Sequence, residues 1–202
     1  MNSYIVINGQ QIELTKEQAE QIKASFQEKS IRLGDVAAGE VVKIGSHEMI
    51  VLEQVGGATL LLRRDLLLDT MQFGENNNYN GSYVDKVCNE FADEIAGIVG
   101  EGNIALHMVD LTADDGLKDY GVVWRRASLR TAQMQRKYAK ILDKYKPNNF
   151  EWLATAHSTP THDEDAWVKG VSPSGRIYNG FYYYGIGVRP FCILNSDIFV
   201  SK

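Results

Sequence analysis

The sequence predicts an α+β fold of short antiparallel strands and two main helices, preceded by a small β-hairpin–helix module. Three observations carry this. Asn8-Gly9 sits between short alternating apolar runs in "YIVINGQQIEL", the pattern of a tight two-residue hairpin. From Val41 onward, β-rich runs are punctuated by Gly45-Ser46 and Gly56-Gly57. Two longer stretches, starting near Ser82 and Ser128, carry apolar residues at helical spacing.

Element by element, "TKEQ" after the hairpin reads as a capping box in which Thr15 caps the Gln18 amide and Gln18 reaches back. Ala19, Ile22 and Phe26 then mark a short amphipathic helix. This places an accessory module at 1–30 and the main domain at 31–202, with the boundary in "EKSIRLGDVAAGE". "EVVKIG", "HEMIVLEQ" and "ATLLLRRDLL" predict an antiparallel meander. "FGENNNYNGS" is a polar loop, after which Ser82 caps a helix with Asp85 three residues on. Val84, Val87, Cys88, Phe91, Ile95 and Ile98 form its buried stripe. "NIALHMVDL" reads as a strand and "TADDGLKDYG" as an acidic loop. A second helix is expected over 128–145, with Leu129, Met134, Tyr138, Ile141, Leu142 and Tyr145 on its apolar side and Pro147 just past its end. The closing runs "EWLATA", "AWVKGV", "RIY" and "VRPFCIL" are strands, with "SPSG" as a turn. Residues 168–171 and 176–178 should pair as a hairpin, and 188–194 should form the third strand of that sheet.

The 202 residues fit one large domain, or one domain with a small appendage, at 44% hydrophobic and 23% charged. A net charge of −5 argues against generic nucleic-acid binding, which needs a basic footprint. No apolar run approaches the ~20 residues of a membrane span, so no membrane insertion is expected. "MNSYIVINGQ" lacks the charged and apolar regions of a secretory signal. Cys88 and Cys192 are isolated within apolar segments and read as buried free thiols of a reducing compartment, with a disulfide as the alternative. No internal repeat occurs.

The densest feature is "YNGFYYYGIGVRPF", residues 178–191. Tyr178, Asn179, Phe181, Tyr182, Tyr183 and Tyr184 form a candidate recognition surface, because tyrosine offers a large rigid contact area with a polar tip, while asparagine and glycine make turns. Trp167, His162 and the 157–165 loop would border it. The structural alternative is that these aromatics pack one end of a hairpin. Phe191 and Ile193 alternate toward a core, and Arg189 reads as a partner in a buried or edge ion pair.

Other chemistry is weaker. His157, His162, Asp163, Glu164 and Asp165 could hold zinc or manganese, but no H-E-x-x-H or EF-hand spacing is present and adjacent acids point in different directions, so a solvated polar loop is the better reading. Asp110, Asp114, Asp115 and Asp119 offer hard oxygens for calcium or form a plain acidic loop. No G-x-S-x-G elbow, P-loop or dinucleotide loop occurs, so neither a catalytic residue nor a cofactor is assigned. Between residues 125 and 146 eight Lys or Arg accompany the single acid Asp143, and Arg136, Lys140 and Lys144 follow an i, i+4 row that could meet an anionic partner or simply face solvent.

"EWLATA", "WVKGVSPSGRIYNG" and "GVRPFCIL", together with "LGDVAAGEVVKIGSHEMIVLE" and "LLLRRDLL", resemble a family of uncharacterised domains common on prophages of gut bacteria. The order of a tryptophan strand, a hairpin and a late "GVR" strand is also similar to the C-type-lectin-like fold of formylglycine-generating enzymes and of the variable proteins of diversity-generating retroelements. In the variable proteins, Tyr- and Asn-rich variable positions precede the closing strand, where "YNGFYYYG" stands here. The enzyme's paired late cysteines are lacking, since Cys192 alone lies in this region. The resemblance implies a phage or prophage-encoded protein, made in the bacterial cytoplasm and able to become a virion component, that binds a protein or glycan ligand. The alternatives are a phage inhibitor acting on a host protein through the basic helix, and a metal-dependent enzyme using the 157–165 loop. Homo-oligomerisation would run through Ile22 and Phe26 of the accessory module.

Overall fold

Residues 49–52 set the architecture. Met49 and Val51 enter one apolar cluster while Ile50 and Leu52 enter another, so the strand carrying them is buried on both faces. The structure, a computed structural model, describes residues 3–7, 10–19, 30–162 and 164–202. It is a mixed α+β fold dominated by antiparallel pairing.

The chain opens on a hairpin, β1 (Ser3–Ile7) and β2 (Gln10–Leu14), with Ile5 opposite Ile12. The capping box forms: Thr15 Oγ1 accepts from the Gln18 amide at 3.1 Å, and Gln18 Oε1 accepts from the Thr15 amide at 3.0 Å. The Asn8-Gly9 turn and the helical positions Ile22 and Phe26 lie outside the described residues. Next come β3 (Ser30–Arg32), β4 (Val41–Ile44), β5 (His47–Val55), β6 (Ala58–Arg63) and β7 (Leu68–Met71). The stretch β4 to β6 is the expected meander, turning at Gly45-Ser46 and Gly56-Gly57. Helix α1 (Tyr83–Val99) follows, then β8 (His107–Asp110), β9 (Val122–Arg125), β10 (Ala127–Leu129), α2 (Ala132–Lys137) and α3 (Ala139–Leu142). The remaining strands are β11 (Glu151–Ala156), β12 (Trp167–Val171), β13 (Ile177–Phe181), β14 (Ile186–Val188), β15 (Pro190–Asn195) and β16 (Phe199–Ser201).

Two sheets dominate. One has seven strands in the order β10-β15-β6-β5-β4-β16-β3, and the other has five in the order β13-β12-β11-β14-β7, where β11 and β14 run parallel. Helix α1 serves both. Ser82 caps it by accepting from the Asp85 amide, as its sequence predicts. Val84 and Cys88 join Trp152 and Val168 of the five-stranded sheet, whereas Phe91, Ala92, Ile95 and Ala96 join Leu61 and Leu194 of the seven-stranded one. Ile98, expected in this stripe, is exposed. Tyr138 and Leu142 cover the opposite face of the seven-stranded sheet, against Ile50, Leu62 and Phe191. Cys88 and Cys192 are free and buried in different clusters, and burial pushes both thiols up to about 12, so they stay protonated at neutral pH.

Two expected elements also fail. The helix expected over 128–145 is not one helix. Ser128 and Leu129 pair in β10 with Phe191 and Pro190, and Thr131 caps α2 by accepting from the Met134 amide. Tyr138, at φ −99° and ψ 14°, then separates α2 from α3, with its hydroxyl donating to Glu53 at 2.5 Å. The strand expected over 188–194 also divides. Residues 168–171 and 177–181 do pair as the hairpin, but only Ile186–Val188 belongs to their sheet, and Pro190–Asn195 crosses into the seven-stranded one. Pro190 offers no N–H to a continuing ladder, and the Arg189 side chain turns into the interior.

The two sheets meet at a buried charge cluster. Glu151, at the start of β11, has no exposed surface and accepts a forked pair of bonds from Arg130, which follows β10. Arg189 Nη1 lies 3.5 Å from the same carboxylate, while its Nε donates to the Arg63 carbonyl at 2.7 Å. Arg130 Nε donates to Gln135 Oε1 at 2.7 Å. Burial pushes the Glu151 carboxyl up, but the charges of Arg130 and Arg189 outweigh it and hold the group below the ordinary carboxylate range. A depressed folded-state pKa contributes stability that is present above the unfolded value and lost as pH falls through the folded one. Glu151→Gln leaves two buried cations without their counter-charge and should cost about 3–5 kcal/mol. Urea midpoints across pH check this: the variant should melt earlier at neutral pH, and its stability should fall less on acidification than the parent's.

Candidate functional site

Trp167 and Phe181 are directly opposite each other in the β12–β13 pair, and this register builds the site. Opposed side chains on one face of an antiparallel pair lie within ring contact. Their centroids are 3.6 Å apart at 29°. Tyr183 continues the stack at 5.1 Å and 11° from Phe181. Tyr184 stands edge-on to both, 5.4 Å from Phe181 and 5.2 Å from Tyr183. Residues 182–185 form the turn into β14, closed by a Tyr184 amide bond to the Phe181 carbonyl at 2.9 Å. Tyr183 and Tyr184 remain 47% and 46% exposed, whereas Trp167 and Phe181 are partly covered. Asn179 is exposed on the same strand, two residues from Phe181 and on its face.

Other residues of the sequence-predicted surface play different parts. Tyr178 points to the opposite face of β13, packs on the core around Trp152, and meets Phe150 edge-on at 4.8 Å. Burial, with the charge of Glu151, pushes its hydroxyl pKa up. A Cβ at Gly170 would sit 2.7 Å from the Tyr178 ring, so glycine there makes room for it. Tyr182 is half-buried against the same core, and its backbone bonds to Ala166 and Phe73. Gly180, read from sequence as a loop residue, lies in β13 instead, where a Cβ would press on Ile186 and Trp152 at 3.1 and 3.2 Å. His162 is exposed and bonds Asp115 at 3.2 Å, with no ring contact to the cluster among the described residues.

The acids of the metal reading and most cations of the basic-helix reading have partners within the chain. Asp119 accepts from the Thr159 and Thr161 hydroxyls, which hold its carboxyl below the ordinary range. Asp115 accepts from Ser158 and His162, and Asp114 binds Arg136 at 2.7 Å and Lys169 at 2.8 Å. Asp110 accepts from Thr112, and Glu164 accepts from the Ala166 and Trp167 amides. Asp163 lies outside the described residues. Among the described residues no group of three or more His, Cys, Asp or Glu is placed to hold a metal ion. In the basic stretch, Arg125 pairs with Asp85, Arg126 with Asp93 and Glu101, Arg130 with Glu151, Arg136 with Asp114, Lys137 with Glu53 and Lys146 with Asp143. Of its cations, Lys140 and Lys144 alone show no carboxylate partner among the described residues.

Sequence reasoning missed a second surface. The ribbon β8–β9 turns His107, Val109 and Val123 inward and leaves Leu106, Met108, Val122 and Trp124 in solvent. The alternation of "LHMVD" and "VVWR" carried this signal, but only the first run was read as a strand.

No family model, curated protein or solved structure matches the chain.

Tyr183→Ser and Tyr184→Ser should each shift the melting temperature by no more than about 3 °C, the size of ordinary surface changes. Tyr182→Ser removes a core contact and should lower it by about 5–10 °C. Calorimetry of the three single variants checks the ordering.

Proposed function

We propose that this chain is a phage or prophage-type binding protein whose ligand surface is the ring cluster Trp167, Phe181, Tyr183 and Tyr184, bordered by Asn179. Its scaffold is C-type-lectin-like, and its ligand is a protein or a glycan. The observation that supports this is the stacked ladder itself, with two tyrosines nearly half in solvent at the end of a supported hairpin. Trp167 and Phe181 fix the tyrosine rings by contact, so little conformational freedom is lost on binding. The tyrosine hydroxyls and the Asn179 amide supply donors and acceptors beside flat apolar faces, which suits sugar hydroxyls or exposed peptide groups.

The same arrangement fits retroelement-type diversification. Tyr183 and Tyr184 lie in the turn, outside the buried clusters, so their replacement alters the surface and spares the core. Tyr178 and Tyr182 belong to the scaffold under this reading and should stay fixed among relatives.

A Tyr183→Ala/Tyr184→Ala double variant tests the proposal on a glycan array and on immobilised bacterial envelope fractions. The parent should bind saturably, and the variant should lose at least ~2 kcal/mol, about 30-fold in affinity, while melting within a few degrees of the parent. Equal binding by parent and variant would remove the ring cluster from the ligand surface.

A further inference from the structure

The β8–β9 ribbon carries an apolar face that the ligand surface does not use. Leu106, Met108, Val122 and Trp124 are 64%, 55%, 51% and 59% exposed. Met108 and Trp124 are directly opposite in the ladder, and Val122 lies two pairs along on the same face, opposite Asp110. These side chains form one patch with Trp124 and Met108 at its centre. Scattered exposed apolar residues are ordinary, but a contiguous patch centred on tryptophan and methionine marks a contact surface.

The ribbon is held firmly. Its inner residues Val109 and Val123 pack in the core with Trp152 and Val84. Arg125, at the end of β9, forks onto Asp85 in the first turn of α1, with Nε and Nη2 at 2.8 and 2.7 Å from the two carboxylate oxygens. The exposed face is therefore presented in a fixed shape.

From these features we infer that the ribbon face is the interface of a two-fold homodimer, in which the Trp124–Met108 centre of one copy packs on that of the other. Three observations select a second copy as the occupant. The face centre carries no charge, and the cations at one end are already engaged, Arg125 by Asp85 and Arg126 by Asp93 and Glu101, while Asp110 at the other end keeps its charge as it accepts from Thr112. Its centre therefore offers a partner of opposite charge nothing to pair with. The four side chains expose on the order of 400 Å² of apolar surface, close to the apolar share of the ~800 Å² that each partner buries in a standard interface. The pairing register also makes the patch self-complementary. Because Met108 and Trp124 sit side by side, a two-fold that stacks ribbon on ribbon sets each tryptophan against the other copy's methionine or tryptophan. Sulfur–aromatic and aromatic pairs are favourable in that geometry. A patch matched to itself closes as a dimer and leaves no free end for further growth.

Sedimentation equilibrium of the full chain from about 1 to 100 µM tests this, since standard-size self-interfaces hold in that range. The expected mass is twice the 22.6 kDa of the chain. Trp124→Glu should raise the dissociation constant at least ~30-fold, because central interface aromatics carry much of the binding energy. Met108→Lys makes the same test at the other central residue, should Trp124→Glu fold poorly. A parent that stays monomeric throughout the range overturns the inference, and so does a dimer that both substitutions leave intact. Tyr183→Ala/Tyr184→Ala should dimerise like the parent, which separates this inference from the ligand proposal.

Discussion

The rest of the structure depends on the Arg130–Glu151–Arg189 cluster. Its three residues stand at the three places where the chain passes between or anchors the two sheets: the exit from β10, the start of β11, and the break between β14 and β15. A carboxylate with no exposed surface cannot remain ionised without partners, and the fork from Arg130 and the second cation of Arg189 supply them. Such pairs contribute little net stability against an apolar replacement, but they tolerate few alternative arrangements. Two strands fixed to one carboxylate have a fixed relative position. Arg189 also binds the carbonyl of Arg63 at the end of β6, which ties in the centre of the seven-stranded sheet. Burial pulls the Arg189 guanidinium down to about 10 against the attraction of Glu151, a measure of how strongly the interior resists the second charge. A cavity of about 30 Å³ lined by Arg130, Gln135, Glu151 and Arg189 lies beside the cluster, enough for one water-sized occupant.

That dependence also explains which parts of the fold were legible in sequence. Local signals survived: the capping box at Thr15, the Ser82 cap, the meander between Gly45 and Gly57, and the "SPSG" turn, where Gly175 sits at φ 86°. Each is settled by interactions within a few residues. The failures lie where long-range pairing overrides local preference. Ser128 and Leu129 continue a helical pattern in sequence but are claimed by Phe191 and Pro190 across a strand pair. "GVRPFCIL" alternates like one strand, yet a buried carboxylate far away in sequence captures Arg189 and divides it.

The candidate site was legible in composition and opaque in geometry. The tyrosine run marks a special segment, but it cannot say that Tyr178 and Tyr182 pack inward while Tyr183 and Tyr184 face out. Strand alternation places Tyr178 with Gly180 on the Trp152 side, and that phase depends on where β13 ends. Trp167 entered the prediction as a border residue and proves to be the base of the stack, because its register opposite Phe181 is set by the length of the turn. In sequence the histidines and acids could be read as a polar loop or, less well, as a metal or calcium set. In space they are divided among threonine, serine, lysine and arginine partners.

The ring cluster and the ribbon face differ in chemistry in a way that matches their proposed roles. Tyr183 and Tyr184 present rigid rings with polar rims, suited to contacts that exchange with solvent and change with sequence. Leu106, Met108, Val122 and Trp124 offer water little beyond the indole N–H and a weakly accepting thioether, so burial against a partner is what offsets their exposure. A dimer made through the ribbon displays two ring clusters from one assembly. For a ligand repeated on a surface, the second contact then forms at the effective concentration set by the first, and avidity can exceed single-site affinity by 10²–10⁴. Under the proposed reading, recognition by a few tyrosines would become useful in that setting, because the assembly would supply strength that Tyr183 and Tyr184 need not supply alone.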